Sequence, residues 1–147
     1  MERRLANAAG ATSINLPMLF RALIVWVVIA MVETVHGILR IRLLNRRVGD
    51  HRARQIAVAT GSGIVVSIAW FTMPWIAPLS LGDSLAVGTL WLVTMLAFEI
   101  SLGRFVFHVP WARIGSDFNL RRGGLLAFGM LVLFLAPWLI SQVRGIF

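Results

Sequence analysis

No charged residue occurs between Arg54 and Asp83, and none between Arg122 and Arg144. A helix rises about 1.5 Å per residue and the hydrocarbon of a bilayer is about 30 Å thick, so about 20 mainly apolar residues make one crossing. Each uncharged run is long enough to cross once. A third run, from Asp83 to Arg104, is interrupted only by Glu99, and a fourth, residues 17–40, carries Arg21, Glu33 and His36. Arg21 falls near the start of its run, where a long side chain can snorkel to the interface. The expectation is an all-α membrane protein: a bundle of four transmembrane helices forming one domain over residues 1–147. Its apolar content of 59% and mean hydropathy of +0.84 agree with that class. The first run follows Arg3 and Arg4 as a leader peptide would. No small-residue cleavage site comes after it, and "ETVHGILRIR" continues the helix, so it is expected to stay as a span.

All 14 basic residues are arginine, against six acidic ones, for a net charge of +8. Nearly every arginine ends an apolar run. That placement suits anionic lipid headgroups, and no nucleic-acid partner is expected. The chain has no cysteine, which excludes disulfides, thiolate metal sites and cysteine nucleophiles. It also lacks a Gly-rich phosphate loop, a nucleophile triad and a metalloprotease motif, so neither catalysis nor a cofactor is expected.

Orientation follows from where the arginines collect. The connection after the first span holds six (Arg40, Arg42, Arg46, Arg47, Arg52 and Arg54), and that after the third holds four (Arg104, Arg113, Arg121 and Arg122). The opposite side has Arg3, Arg4, Arg21 and Arg144, four against ten. Both arginine-rich connections are therefore expected in the cytoplasm and both termini outside.

The two halves resemble each other. "ETVHG" and "EISLG" share Glu-x-x-x-Gly (Glu33 with Gly37, Glu99 with Gly103) near the end of an odd-numbered helix. "RRVGD", ending at Asp50, parallels "ARIGSD", ending at Asp117, and "MPWI" parallels "APWLI". Repeat one is placed at about residues 17–77 and repeat two at about 83–141, as two parallel-repeat helical hairpins about a pseudo-twofold axis along the membrane normal. Small residues spaced by four (Ala57 and Gly61, Ala59 and Gly63, Gly123 and Ala127) mark close helix approaches. Pro74 and Pro137, each before a tryptophan, mark helix ends at the outer interface.

The candidate intramembrane polar site is Glu33, Glu99, His36 and Arg40. Arg40 lies roughly 10 Å beyond Glu33 along the helix, and Arg104 roughly 7 Å beyond Glu99, which sets both carboxyls inside the hydrocarbon. A carboxylate facing lipid there costs a few kcal/mol, so both should point into the bundle. Across a twofold axis they could meet. Like charges sharing a dry site favour keeping one protonated, as in proton carriers and acid/base pairs. The plainer reading is that each glutamate bonds a neighbouring helix and locks the bundle. Glu33, His36, Gly37 and Arg40 share one helix face. Glu-x-x-His is half of a di-iron motif, but Leu102 takes the histidine's place in the second half, and no metal is expected. His51 and His108 fall in the connections and are expected at the interface. In the cytoplasmic connections, Asp50 and Asp117 cap the following helices or pair with Arg54 and Arg121. Arg46, Arg47, Arg113, Arg121 and Arg122 are candidate headgroup or phosphate contacts, beside the plainer role of fixing orientation.

The stretch "LAFEISLGRF…PWARIGSDFNLRRGG" resembles a group of uncharacterised small bacterial four-helix inner-membrane proteins. Phe98, Glu99, Gly103, Trp111, Asp117, Asn119 and Gly123 match that group's pattern, with Phe118 in place of its usual tyrosine. Gly37 and Arg40 match an Asn-Gly-x-x-Arg element, with His36 in place of asparagine. The resemblance implies a bacterial inner-membrane location and carries no activity, cofactor or partner. Three functions remain: an accessory subunit of a membrane complex, the leading expectation; a small transporter or proton-coupled carrier using the paired glutamates; and a lipid-modifying enzyme. The expected partners are the bilayer with its anionic headgroups and either another membrane protein or further copies of the chain.

Overall fold

The computed structural model describes residues 15–119, 121 and 124–147, which leaves Arg3, Arg4, Arg122 and Gly123 outside the described residues. Those described are helical almost throughout, with no β-strand among them. Four helices are long and apolar enough to cross a membrane: α1 (Leu16–Val48), α2 (Asp50–Ile76), α3 (Leu81–Val106) and, after a short α4 (Trp111–Asp117), α5 (Leu126–Val143).

Local chemistry sets these limits. Asn15 caps α1 by accepting from the Met18 N–H at 3.3 Å, and Pro17 stands in the first turn, where its missing N–H is harmless. No glycine or proline follows Gly37 until Gly49, so α1 does not stop at Arg40 as the hydropathy suggests. It continues through a π-helical turn, Arg40–Leu44, to Val48. Gly49 alone separates α1 from α2, at φ +84°, a backbone conformation that suits glycine. Ala77 closes α2 in the left-handed conformation at φ 55°. Before α3, Ser80 accepts from the Asp83 N–H at 3.1 Å, while Asp83 accepts from the Leu79 N–H at 2.9 Å, a reciprocal cap within "PLSLGD". A second π-helical turn, Leu102–Val106, ends α3.

The prolines differ in role. Pro74 lies in the last turn of α2, as expected for a helix end. Pro137 instead lies buried within α5, which continues to Val143. With no N–H, Pro74 cannot bond the carbonyl of Trp70 one turn earlier. Arg144 supplies the missing donor through Nη1 and sets its guanidinium 5.1 Å from the Trp70 ring centroid. Arg21 makes the matching contact at the same end. It donates to the Trp75 carbonyl at 3.0 Å, in the last turn of α2, and stacks 5.7 Å from the Trp75 ring.

Around the bundle the order is α1, α2, α5, α3, with α1 against α2 and α3, and α5 against the same two. The hairpin α1–α2 therefore stacks beside α3–α5, like helix on like. A twofold axis at the bundle centre would instead put α1 diagonal to α3, and the helix contacts do not show that arrangement. Within the second hairpin, α3 fits closely against α5. A Cβ on Gly88 would collide with the main-chain carbonyl of Phe134, an approach that the small-residue spacing on α2 did not announce. At Gly63 a Cβ would meet nothing.

Lipid provides little hydrophobic drive between helices, so packing and interhelical hydrogen bonds hold them together. Trp91, Ile29, Met73, Ile76 and Val87 are fully buried. Trp91 donates from Nε1 to the Ala22 carbonyl at 2.8 Å, tying α3 to α1. Ser84 bonds Ser141 at 3.2 Å in the interior, tying α3 to α5. Thr34, Thr72, Thr89 and Thr94 turn their hydroxyls back onto carbonyls of their own helices, as polar groups in hydrocarbon must when no other partner is near.

Candidate functional site

Antiparallel packing brings the C-terminal ends of α1 and α3 and the N-terminal ends of α2 and α5 to one end of the bundle. A cavity of about 320 Å³ opens there, lined by all four long helices and by Asp117 of α4. Helical spacing explains the lining. On α1 it falls at Glu33, His36, Gly37 and Arg40; on α2 at Arg54, Ala57, Val58, Gly61, Ser62 and Val65; on α5 at Leu126, Gly129, Met130 and Leu133. Each set repeats at three and four, one face of a helix.

The lining is layered by depth along the helices. Val65, Met95, Met130 and Leu133 form an apolar floor. Above it stand Glu33 and Glu99, brought into the same cavity from α1 and α3. Arg40, Arg54 and Asp117 form the rim. Glu33 is accommodated by the bare backbone of Gly61, where a Cβ would stand 3.0 Å from Oε2. His36 Nδ1 lies 3.6 Å from Glu33 Oε2, and His36 Nε2 lies 2.8 Å from Thr60 Oγ1. The Thr60 hydroxyl donates to the Ile56 carbonyl at 2.9 Å, which leaves His36 Nε2 to donate to the hydroxyl. Glu33 Oε1 and Ser62 Oγ are buried without a hydrogen-bond partner among the described residues.

At the rim, Arg54 is doubly engaged. It donates from Nε to Asp50 at 3.0 Å and from Nη1 to Asp117 at 3.0 Å, joining the start of α2 to the end of α4. Asn45 donates to the other oxygen of Asp50 at 2.9 Å. The expected pairing of Asp117 with Arg121 is therefore corrected: Asp117 takes Arg54, and the main-chain N–H of Arg121 donates to Asn119 Oδ1 at 3.1 Å. Neither aspartate acts as a side-chain N-cap. Asp50 lies inside the first turn of α2, and Asp117 closes α4. Arg40 lines the same cavity, half-buried, and among the described residues no acidic oxygen comes within 4.0 Å of it.

The headgroup candidates are elsewhere. Arg46 and Arg47 lie exposed on the extension of α1, Arg113 is exposed on α4, and Arg121 is exposed before α5; none lines the cavity, and Arg122 is outside the described residues. His51 is exposed at the start of α2, 3.3 Å from Gln55, and His108 is exposed in the turn after α3. Arg104 stacks 5.6 Å from the Trp111 ring. Glu99 and Asp117 also border a smaller cavity of about 130 Å³ beneath α4, with Phe107, Ile114 and Phe118. Among the described residues no three histidine, aspartate or glutamate side chains gather as a metal site would need.

Glu33, His36, Arg40 and Glu99, the polar residues the sequence singled out, all line this cavity, whereas Arg54, Gly61, Ser62 and Asp117 were passed over as cavity residues. For Arg54, Gly61 and Ser62 the signal was present in the three-and-four spacing of small and polar positions on α2, which hydropathy averages away. Comparison with known protein families, with curated proteins and with solved structures gave no match.

Proposed function

We propose that this chain is a small membrane carrier that binds a proton or a small cation on Glu33 and Glu99 inside the bundle. One observation carries the reading: two carboxyls line one cavity among four helices long and apolar enough to cross a membrane, and neither has an arginine within 4.0 Å among the described residues. A merely structural carboxylate in hydrocarbon needs a partner to offset a cost of a few kcal/mol. Here the nearest cationic or imidazole nitrogen is that of His36, at 3.6 Å. A carboxyl left in this condition is suited to exchanging protons or ions. The plasma membrane of a bacterium, with the cavity end in the cytoplasm and both termini outside, completes the proposal; the collection of arginines at that end and the stated family resemblance support it. The two halves read as copies of one hairpin, which the paired π-helical turns, Arg40–Leu44 and Leu102–Val106, support.

The test is flux in liposomes. The chain is expected to conduct protons or monovalent cations, and Glu33→Gln or Glu99→Gln to abolish flux while the protein stays monodisperse in detergent. Unchanged flux in both variants would refute the carrier. A second reading, an accessory subunit of a membrane complex, is supported by the exposed group Phe105, Val106, Phe107 and Trp111 beside the cavity end. Aromatic side chains suit a protein partner as well as the headgroup layer. Native mass spectrometry of gently extracted material separates the two. A stoichiometric protein partner supports the subunit, and a lone chain or homo-oligomer the carrier.

A further inference from the structure

We propose that the cavity takes a zwitterion: a small primary amine seated on Glu33 and Glu99 whose acidic group, a phosphate or carboxylate, lies on Arg40. This rests on the reading of the cavity as a ligand site and names its substrate class. The cavity holds opposite charges that do not pair with one another. Arg54 already pairs with Asp50 and Asp117, two contacts of 3.0 Å that offset its charge. Arg40 has no acidic oxygen within 4.0 Å among the described residues, and Glu33 keeps one buried oxygen without a partner. A bare cation on the carboxyls would leave Arg40 without an acidic partner, and a simple anion would meet two carboxyls. An amine joined to an acid by a short alkyl link satisfies both layers at once.

The geometry sets the direction of binding. Arg40 is seven residues beyond Glu33, about 10 Å along the axis. Arg40 lies beyond Glu33 on the same face of α1, at the rim of the cavity. The amine then enters first and the acid stays at the rim. A volume of about 320 Å³ suits a small solute or a single headgroup, being at the lower end of the roughly 300–1,000 Å³ typical of ligand sites. The planar fork of a guanidinium suits a phosphate or carboxylate held by two hydrogen bonds.

The same chemistry occurs in free phosphoethanolamine and in the headgroup of an aminophospholipid, and the experiment distinguishes them. Purified full-length protein in a non-ionic detergent is titrated with phosphoethanolamine, ethanolamine and inorganic phosphate, each read by calorimetry. Phosphoethanolamine is expected to bind at least about tenfold tighter than either half alone, the value of one charge-assisted contact. Arg40→Gln is expected to remove that advantage and leave ethanolamine affinity unchanged, whereas Glu33→Gln weakens both amines. Equal affinity for ethanolamine and phosphoethanolamine overturns the zwitterion and leaves the cation site standing. No binding of any amine overturns the zwitterion, while the carrier reading stands or falls on the liposome flux. If Arg40→Gln cannot be purified, the three-ligand comparison on the unaltered chain still decides. Short-chain phosphatidylethanolamine competing where short-chain phosphatidylglycerol does not assigns the lipid as the source; competition by neither assigns the free solute.

Discussion

The carboxylate of Glu33 rests on the bare backbone of Gly61, where an added Cβ would stand 3.0 Å from Oε2. The contact couples a helix-packing position on α2 to the chemistry of α1. Gly61→Ala pushes Glu33 by a few tenths of an ångström, and the side chain can rotate to yield. Alanine also lifts the intrinsic cost of glycine in a helix, about 0.5–1 kcal/mol. Stability and function are thus expected to move in opposite directions: thermal unfolding in detergent unchanged or raised, and liposome flux lowered several-fold. A parallel fall in both would show that Gly61 serves packing alone.

Gly88 gives the opposite result. Its neighbour is the main-chain carbonyl of Phe134, which cannot rotate away. Gly88→Ala must separate α3 from α5 along their closest contact, and overpacking of this kind costs about 1–3 kcal/mol. Denaturation in mixed micelles is expected to show that loss, while Gly63→Ala, facing open space, shows none.

Pro74 and Arg144 form a testable pair. The guanidinium of Arg144 bonds the Trp70 carbonyl that Pro74 leaves without an N–H one turn on. Pro74→Ala restores that N–H, and the loss from Arg144→Ala is expected to be smaller in its background. A double-mutant cycle should give a coupling of about 1 kcal/mol. Additive effects would mean that Arg144 acts only through the Trp70 ring.

Arg54 holds α4 to α2 through Asp50 and Asp117. Its side chain is 33% exposed, and Asp117 35%, so water screens the bridge and its value is about 0.5–1 kcal/mol. Arg54→Ala should lower thermal stability by that small amount, and Asp117→Asn should add little in its background. Hydrogen exchange is expected to rise in Trp111–Asp117 and to stay constant in the spans.

Much of the architecture was legible in the chain. Uncharged runs as long as the bilayer is thick leave a helix as the way for the backbone to satisfy its own hydrogen bonds, so four spans followed from the spacing of Arg54, Asp83, Arg104 and Arg144. The positions of Glu33 and Glu99 within those runs followed from the same count. The limits of α1 did not. Hydropathy ends where Arg40 begins, but a helix stops where a residue breaks it, and that residue is Gly49. The exchange of Arg121 for Arg54 at Asp117 was equally hidden, because an ion pair is chosen by distance across elements and not by position along one.

The sequence by itself determined the helical class of this protein, its four runs long and apolar enough to cross a membrane and which polar residues interrupt them, since length and hydropathy are read residue by residue. Only the tertiary structure decided that α1 stacks on α3 and α2 on α5, and that Glu33 and Glu99 share one cavity with an Arg40 unpaired among the described residues. Those outcomes depend on which helix faces meet across the chain, as where Trp91 of α3 reaches the Ala22 carbonyl of α1.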